Sequence, residues 1–174
     1  MTMSQSQFPT VNTHVDEKLT SLNSNQQQPT MTAAMEVKKG GNRNAKNKPL
    51  DVYGSRDWSN NLFSCADFKM CLLGCWCPCV AFAKLKRRRE YLEENGAADP
   101  EHGGPFVSED CRSYWLLNLC GGGGWAMQID NRAASRQRYN IRGTHVRDHM
   151  SSYCCNSLSM AQESAELALE EESL

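Results

Sequence analysis

The 174-residue sequence lacks several motifs that would assign it to a common class of enzyme. It has no Cys-x-x-Cys pair, which excludes the usual redox disulfide motif and the zinc ribbons built on that spacing. No Gly-Lys-Ser/Thr follows the four glycines at 121–124, so these glycines do not form a phosphate-binding loop. No nucleophile and base occur in a recognisable catalytic order. These absences predict that the protein is not an enzyme.

Long apolar runs and an export signal are also missing. The run at 70–83 is too short to span a bilayer, which takes roughly 18 or more residues, and the run at 111–129 is interrupted by the glycines. The first seven residues lack the basic-then-apolar pattern of a secretory signal. We therefore expect an intracellular protein of the nucleus or cytoplasm. Association of the two runs with a membrane is the alternative.

The composition divides the chain into two parts. Residues 1–56 contain none of the nine cysteines and are rich in Ser, Thr, Asn and Gln. Such a segment buries too little apolar surface to offset its chain entropy, so it predicts a disordered polar N-terminal tail. All the cysteines and all four tryptophans lie between 58 and 155. We expect one cysteine-rich domain at 57–172.

The patterns in this domain predict a mainly α fold, a small cysteine-rich helical domain that a metal could stabilise. Pro78 suits the first turn of a helix, which is expected from about Cys79 to Asn95, and the glycines at 121–124 predict a break. An arginine-rich helix follows at about 129–139. A last helix is expected at about 144–172, with frayed final turn and glutamates facing water. Its apolar stripe comprises Leu158, Ala161, Ala165 and Leu169.

Four thiols fall within residues 71–79, which is the strongest chemical signal in the sequence. Thiolates prefer soft cations such as Zn²⁺ and Cu⁺. The proline places Cys77 and Cys79 at a helix N-terminus, where the partial positive charge favours the thiolate form. In a reducing compartment, clustered cysteines bind metal or do redox work more often than they form structural disulfides. The alternative is that they are buried small apolar side chains.

We therefore expect zinc or another thiophilic metal as a cofactor. A closed structural zinc site takes four ligands, so thiols from distant segments are needed if the fold brings them together. The vicinal cysteines cannot readily bond to each other, and one buried and one exposed thiol is the alternative there. The predicted metal ligands are Cys71, Cys75, Cys77, Cys79, Cys154 and Cys155, with Cys65, Cys111 and Cys120 as further candidates.

A basic cluster follows the thiols and comprises Lys84, Lys86, Arg87, Arg88 and Arg89. Such a cluster predicts a localisation or interaction patch, which is a nuclear localisation signal, a nucleic-acid patch or a face that contacts anionic lipid. A solvated helix face is the alternative. We expect protein partners, contact with a membrane surface or a homo-oligomer, and no direct binding of nucleic acid.

Two sequence blocks resemble the family of placenta-specific gene 8, which includes plant cadmium resistance, cell number regulator and cornifelin-like proteins. The first block is Cys71-Leu72 followed by Cys77-Pro78-Cys79. The second is the segment 136–143, then Asp148, Cys154-Cys155 and Gln162-Glu163. This chain has Leu158 and Ala161 where members often carry further cysteines.

The resemblance implies a non-enzymatic protein that confers tolerance to thiophilic heavy metals such as cadmium and zinc. The tolerance would arise through thiolate binding or through a stress-response partner. Two alternatives follow from the same family. One is a membrane-associated component of metal transport, and the other is a nuclear adaptor or regulator of cell growth.

Overall fold

Six helices and one short 3-10 turn form the part of the chain that the computed structural model describes, residues 40–174. The turn is Leu62–Ser64, and the helices are α1 (Phe68–Trp76), α2 (Pro78–Asn95), α3 (Glu109–Gly121), α4 (Gly124–Tyr139), α5 (His145–Cys154) and α6 (Asn156–Glu171). Within these residues the only β pairing is one parallel bridge between Arg56 and Ile141. The prediction of a mainly α, cysteine-rich domain is confirmed.

Most of the predicted disordered tail falls on residues 1–39, which lie outside the described residues. Residues 40–56 contact the helical domain. Arg56 is buried, and its guanidinium pairs with Glu166 at 3.1 Å. Arg43 lies 3.6 Å from the Glu170 carboxylate. Arg43 and Arg56 of this segment therefore pair with carboxylates of α6.

Local signals set the helix ends. The Asp67 side chain accepts a hydrogen bond from the backbone N–H of Met70 at 2.9 Å and caps α1. Pro78 opens α2, where its missing N–H leaves no helical acceptor unpaired. Gly96 ends α2 with a left-handed φ of 69°. The predicted break in the glycine run is also present, since α3 ends at Gly121 and α4 begins at Gly124.

The apolar core lies between α1, α2, α3 and α6. The rings of Phe82 and Tyr114 stack with their centroids 5.0 Å apart, which joins α2 to α3. The Tyr114 hydroxyl accepts a hydrogen bond from the Asn156 amide at 2.5 Å, so α3 is also tied to the start of α6. The buried members of this core are Met70, Ala81, Phe82, Leu85, Leu92, Tyr114, Met160, Ala161 and Leu167.

The C-terminal region differs from the prediction in its helix boundaries. The structure has two helices instead of one, separated at Cys155, whose φ of −136° and ψ of 46° are not helical. The helix α6 then continues to Glu171, and the Glu170 carboxylate pairs with Arg138 at 2.7 Å. The prediction of a frayed final turn is wrong, because this pair holds the last turn against α4.

Three of the four glutamates of α6 face the interior, which contradicts the prediction that they face water. Glu163, Glu166 and Glu170 are buried, whereas Leu158 and Leu169 are only partly buried. Each buried carboxylate meets an arginine from another part of the fold, and the partners are Arg132, Arg56 and Arg138. Pairing and hydrogen bonding are what allow charged groups to be buried. The helix α6 therefore presents both apolar side chains and ionisable carboxyl groups to the core.

Candidate functional site

Three of the candidate cysteines meet where α1, α2 and α3 come together. Cys77 is the single residue between α1 and α2, and its backbone N–H donates to the carbonyl of Leu73 at 2.7 Å. Cys77 and Cys79 pack against the buried Cys111 in one apolar contact cluster. We call Cys77, Cys79 and Cys111 the thiol cluster. It combines two residues of the Cys-Pro-Cys motif with a thiol distant in sequence.

Burial disfavours ionisation of Cys111, the buried thiol of the cluster. It raises the pKa of the Cys111 thiol to about 11, and the hydrogen bond with Cys79 and the charges of Cys79 and Cys77 act in the same direction. The side chain of Cys111 is 5% exposed. Cys111 therefore keeps its proton at neutral pH, and a metal ion that binds it must displace that proton.

The thiol cluster is not a preformed metal site. Among residues 40–174, no group of three or more His, Cys, Asp or Glu side chains is arranged to hold a metal ion. A closed structural zinc site takes four such ligands. The donor set therefore does not fit a resident structural zinc, and we assign no folding role to one.

The other cysteines of the 65–120 region lie outside the thiol cluster. Cys65 and Cys71 form a disulfide, with their Cα atoms 6.1 Å apart. While that bond is intact, Cys71 cannot act as a thiolate ligand. Cys75 on α1 and Cys120 at the end of α3 are both exposed. The four thiols of residues 71–79 are thus in three different environments.

Cys154 and Cys155 line a separate cleft of about 560 Å³. It lies between α4, α5 and the segment that precedes α1. Two carboxylates, Asp57 and Asp148, also line it, and five cationic side chains outnumber them: Lys48, Arg132, Arg136, Arg142 and Arg147. We call this the basic cleft. Its positive surplus makes it a candidate site for an anionic ligand.

The cations of the basic cleft differ in how far they are already paired. Arg142 holds Asp57 through two hydrogen bonds of 2.7 and 2.6 Å. Arg136 uses Nε and Nη2 to hold Asp148. Arg142 has the largest effect in lowering the pKa of the Asp57 carboxyl, and Lys48 and Arg147 add to it only through their charge. Neither Lys48 nor Arg147 forms a close ion pair with a described residue. These two, and the remaining Nη1 of Arg136, are the charges that a ligand could engage.

Behind the cleft lies a buried polar network that the residue patterns did not reveal. The Glu163 carboxylate accepts hydrogen bonds from Gln128 at 2.8 Å, Asn131 at 3.1 Å and Ser135 at 3.0 Å. Arg132 pairs with it at 3.3 Å and lies over the Trp58 ring, 4.3 Å from its centroid. The resemblance to a known family includes Glu163, but helical periodicity predicts that this residue faces water. Its interior position joins α4 to α6 behind the cleft.

The titration of Glu163 gives a testable pH dependence. Burial raises its pKa from 4.5 to about 7, against the lowering effects of Arg132 and Ser135. The folded state therefore binds this proton more tightly than the unfolded state, so the added stability is complete below pH 4.5 and lost as the pH rises through 7. We expect the free energy of unfolding to fall by roughly 3 kcal/mol across this window, at about 1.4 kcal/mol per unit.

The measurement is urea unfolding of the wild type and of Glu163→Gln between pH 4.5 and 7.5. The glutamine cannot ionise, so the stability difference between the two proteins should change across the window in favour of the variant as the pH rises. Parallel curves would contradict the raised pKa.

The predicted basic patch on α2 is engaged within the fold. Its cations contact carbonyl or carboxylate oxygens, and the pairs are Lys84 with Gly104, Lys86 with Asp110, Arg87 with Glu101, Arg88 with Glu171, and Arg89 with Glu93. Arg89 is also buried. Apart from the Arg89–Glu93 pair, which lies within α2, these contacts join α2 to its neighbours, and Arg89 also donates to Asn131 of α4 at 3.1 Å. A partner would have to compete with these contacts.

The apolar end of α3 is open to solvent. Beyond the buried Tyr114, the side chains of Trp115, Leu116, Leu117 and Leu119 are all exposed. No helix within residues 40–174 has the length and apolar character needed to cross a bilayer. An exposed apolar patch of this kind is typical of a surface that contacts a partner or a membrane interface.

Comparison with known proteins identifies relatives of this sequence. The sequence model of the PLAC8 family matches residues 58–166. Cell number regulator 10 of Zea mays is 27% identical over 114 residues, covering 65% of this chain and 66% of the relative. Protein PLANT CADMIUM RESISTANCE 2 of Arabidopsis thaliana is 26% identical over 112 residues, covering 64% and 66%.

Cell number regulator 1 of Zea mays is 29% identical over 115 residues, covering 66% of this chain and 54% of the relative. The chain thus spans between about half and two thirds of the length of these curated relatives. No solved structure matches it.

Proposed function

We propose that this chain, which belongs to the PLAC8 family, is a non-enzymatic protein that contributes to tolerance of thiophilic metals such as cadmium. The metal is cargo, and thiolates bind it. The observation that carries this proposal is the meeting of Cys77, Cys79 and Cys111 at one helix junction. A relative named for plant cadmium resistance supports it.

The chemistry of the thiol cluster favours reversible uptake. Soft cations bind sulfur in preference to oxygen ligands. Each thiol that takes up Cd²⁺ releases its proton to solvent, so the affinity rises with pH. Cys77 and Cys79 are partly exposed and can be reached first, whereas Cys111 is buried and protonated. The core is formed by packed apolar side chains of four helices, so cargo can leave without unfolding the domain.

Growth of cells in cadmium tests this proposal. Cells that express the chain should grow at higher cadmium concentrations than cells with an empty vector. The double variant Cys77→Ser/Cys79→Ser should lose this advantage, because its two accessible cluster thiols are gone. The matched control is Cys75→Ser/Cys120→Ser, which removes two exposed thiols outside the cluster. Equal loss in both variants, or in neither, would contradict a role for the thiol cluster.

A membrane-associated role is the second candidate function, and the exposed end of α3 favours it. Its apolar side chains could insert into the interfacial layer of a bilayer without crossing it. In a flotation assay with phosphatidylcholine vesicles, the wild type should rise with the lipid and Trp115→Gln/Leu119→Gln should not. Phe63→Gln, an exposed site outside α3, is the control. Wild-type protein that stays at the bottom of the gradient would reject this role.

A further inference from the structure

We propose that the basic cleft binds a soft metal ion that arrives as a complex with a small, carboxylate-bearing thiol compound, and that Cys154 and Cys155 accept the ion. This inference rests on the proposed function, since it names the form in which the cargo reaches the protein. It assigns the carrier-bound metal to a site separate from the thiol cluster.

One wall of the cleft carries sulfur. Met150, Cys154 and Cys155 all line it. Met150 and Cys154 are four residues apart on α5 and share one face of the helix. Both side chains are exposed, and Cys155 is partly exposed. Thioether and thiolate groups together select soft ions such as Cu⁺ and Cd²⁺ over oxygen-loving ions.

The charge of the cleft decides which form of the metal it receives. Five cationic side chains line the cleft beside two carboxylates, and Arg132 is also paired with the buried Glu163. The positive surplus that remains favours an anion over a bare Cd²⁺ ion. A soft metal held by small thiols that carry carboxylates is such an anion. Lys48 and Arg147 have no close ion-pair partner among the described residues, and Arg136 keeps Nη1 outside its contacts with Asp148. These groups can bind carboxylates through charge-assisted hydrogen bonds.

The volume of the cleft and the chemistry of the metal transfer both suit a small metal–thiolate complex. The cleft volume of about 560 Å³ falls within the range of roughly 300–1,000 Å³ that is usual for small-molecule sites. In the transfer, the bond from the metal to one carrier thiolate breaks and a bond from the metal to Cys154 forms. The proton of the Cys154 thiol passes to the sulfur of that carrier, which departs, while a second carrier thiolate stays on the metal and its carboxylates stay with Lys48 and Arg147. No oxidation state changes, so the step needs no oxidant or reductant.

Isothermal titration calorimetry of the full chain tests the inference, with the cadmium–glutathione complex as the probe. We expect Lys48→Gln/Arg147→Gln to bind this complex about tenfold more weakly than the wild type, because two carboxylate partners are lost. The same variant should bind free Cd²⁺ at least as well as the wild type. The matched control, Lys69→Gln/Arg112→Gln, removes two exposed charges elsewhere and should leave binding of the complex unchanged.

Two further titrations test whether Cys154 and Cys155 bind the metal ion. Cys154→Ser/Cys155→Ser should lose tight binding of the complex. S-methylglutathione has the carboxylates but no metal-binding thiol, and it should bind weakly to wild type and variant alike. Unchanged affinity of the complex for Lys48→Gln/Arg147→Gln would overturn the inference. So would binding of S-methylglutathione as tight as that of the complex.

The result separates this inference from the proposed function. Suppose that the cleft variants no longer bind the complex, while cells with Cys77→Ser/Cys79→Ser keep full cadmium tolerance. The cleft assignment is then supported, and the role of the thiol cluster in tolerance is rejected. If the tolerance experiment succeeds and the cleft variants bind normally, only the cleft assignment is wrong.

Discussion

Replacing Glu163 with alanine is expected to destabilise the domain by about 3–5 kcal/mol, because it removes one partner of a buried ion pair. The residue is 1% exposed and pairs with Arg132 at 3.3 Å. Without the Glu163 carboxylate, the Arg132 guanidinium stays buried with fewer partners to offset the loss of its hydration. Three further donors lose their acceptor, on Gln128, Asn131 and Ser135. Urea unfolding at about pH 8, where the Glu163 carboxylate is ionised because its pKa is about 7, measures the change.

Glu172→Ala is the matched control, since it removes an exposed carboxylate just beyond α6. Exposed substitutions of this kind usually change stability by no more than about 0.5 kcal/mol. Similar values for the two variants would mean that the polar network behind the basic cleft does not hold α4 and α6 together.

Phe82→Ala should cost about 3–5 kcal/mol through the loss of buried area and the cavity that remains. The ring is 1% exposed and stacks on Tyr114 in the centre of the core. Phe63→Ala is the control, because that ring is 77% exposed. Thermal or urea unfolding measures both, with and without the chelator EDTA.

Comparing unfolding with and without EDTA distinguishes a core stabilised by side-chain packing from a core stabilised by a bound metal. We expect EDTA to leave the stability of the wild type and the loss in Phe82→Ala unchanged, since the core is formed by side-chain packing. Unfolding of the wild type by EDTA would show that a resident metal is part of the fold.

The parts of the fold that local sequence determines could be predicted. Pro78 and Gly96 mark the two ends of α2, and the predicted helix differs from the observed one by a single residue at its start. The class of fold follows from such local signals. The buried face of α6 could not be found in this way, because helical periodicity alone places Glu163 in water. Its arginine partner comes from α4, far away in sequence.

A signal for the buried pairs was present in the charge distribution. An arginine-rich segment at 132–147 precedes a glutamate-rich segment at 163–172, and the two charges are complementary. Only the packing of α4 against α6 shows that they meet in the interior. The packing also determines the basic cleft, whose walls come from three separate parts of the chain.

The cysteine motif illustrates the same limit. Its spacing suggested one shared site, but α1 and the turn at Pro78 distribute its thiols among a disulfide, an exposed helix face and a helix junction. The junction thiols meet Cys111, which lies far along the sequence. The vicinal pair, Cys154 and Cys155, is placed at the basic cleft instead. Whether a thiol joins a site therefore depends on helix packing.

Equilibrium dialysis of the purified chain against cadmium, followed by elemental analysis, tests the central claim most directly. The wild type and the control Cys75→Ser/Cys120→Ser should retain cadmium, and Cys77→Ser/Cys79→Ser should bind it about tenfold more weakly or worse. A wild type that retains no cadmium, or a Cys77→Ser/Cys79→Ser variant that retains as much as the wild type, would contradict the claim that these thiols bind the metal.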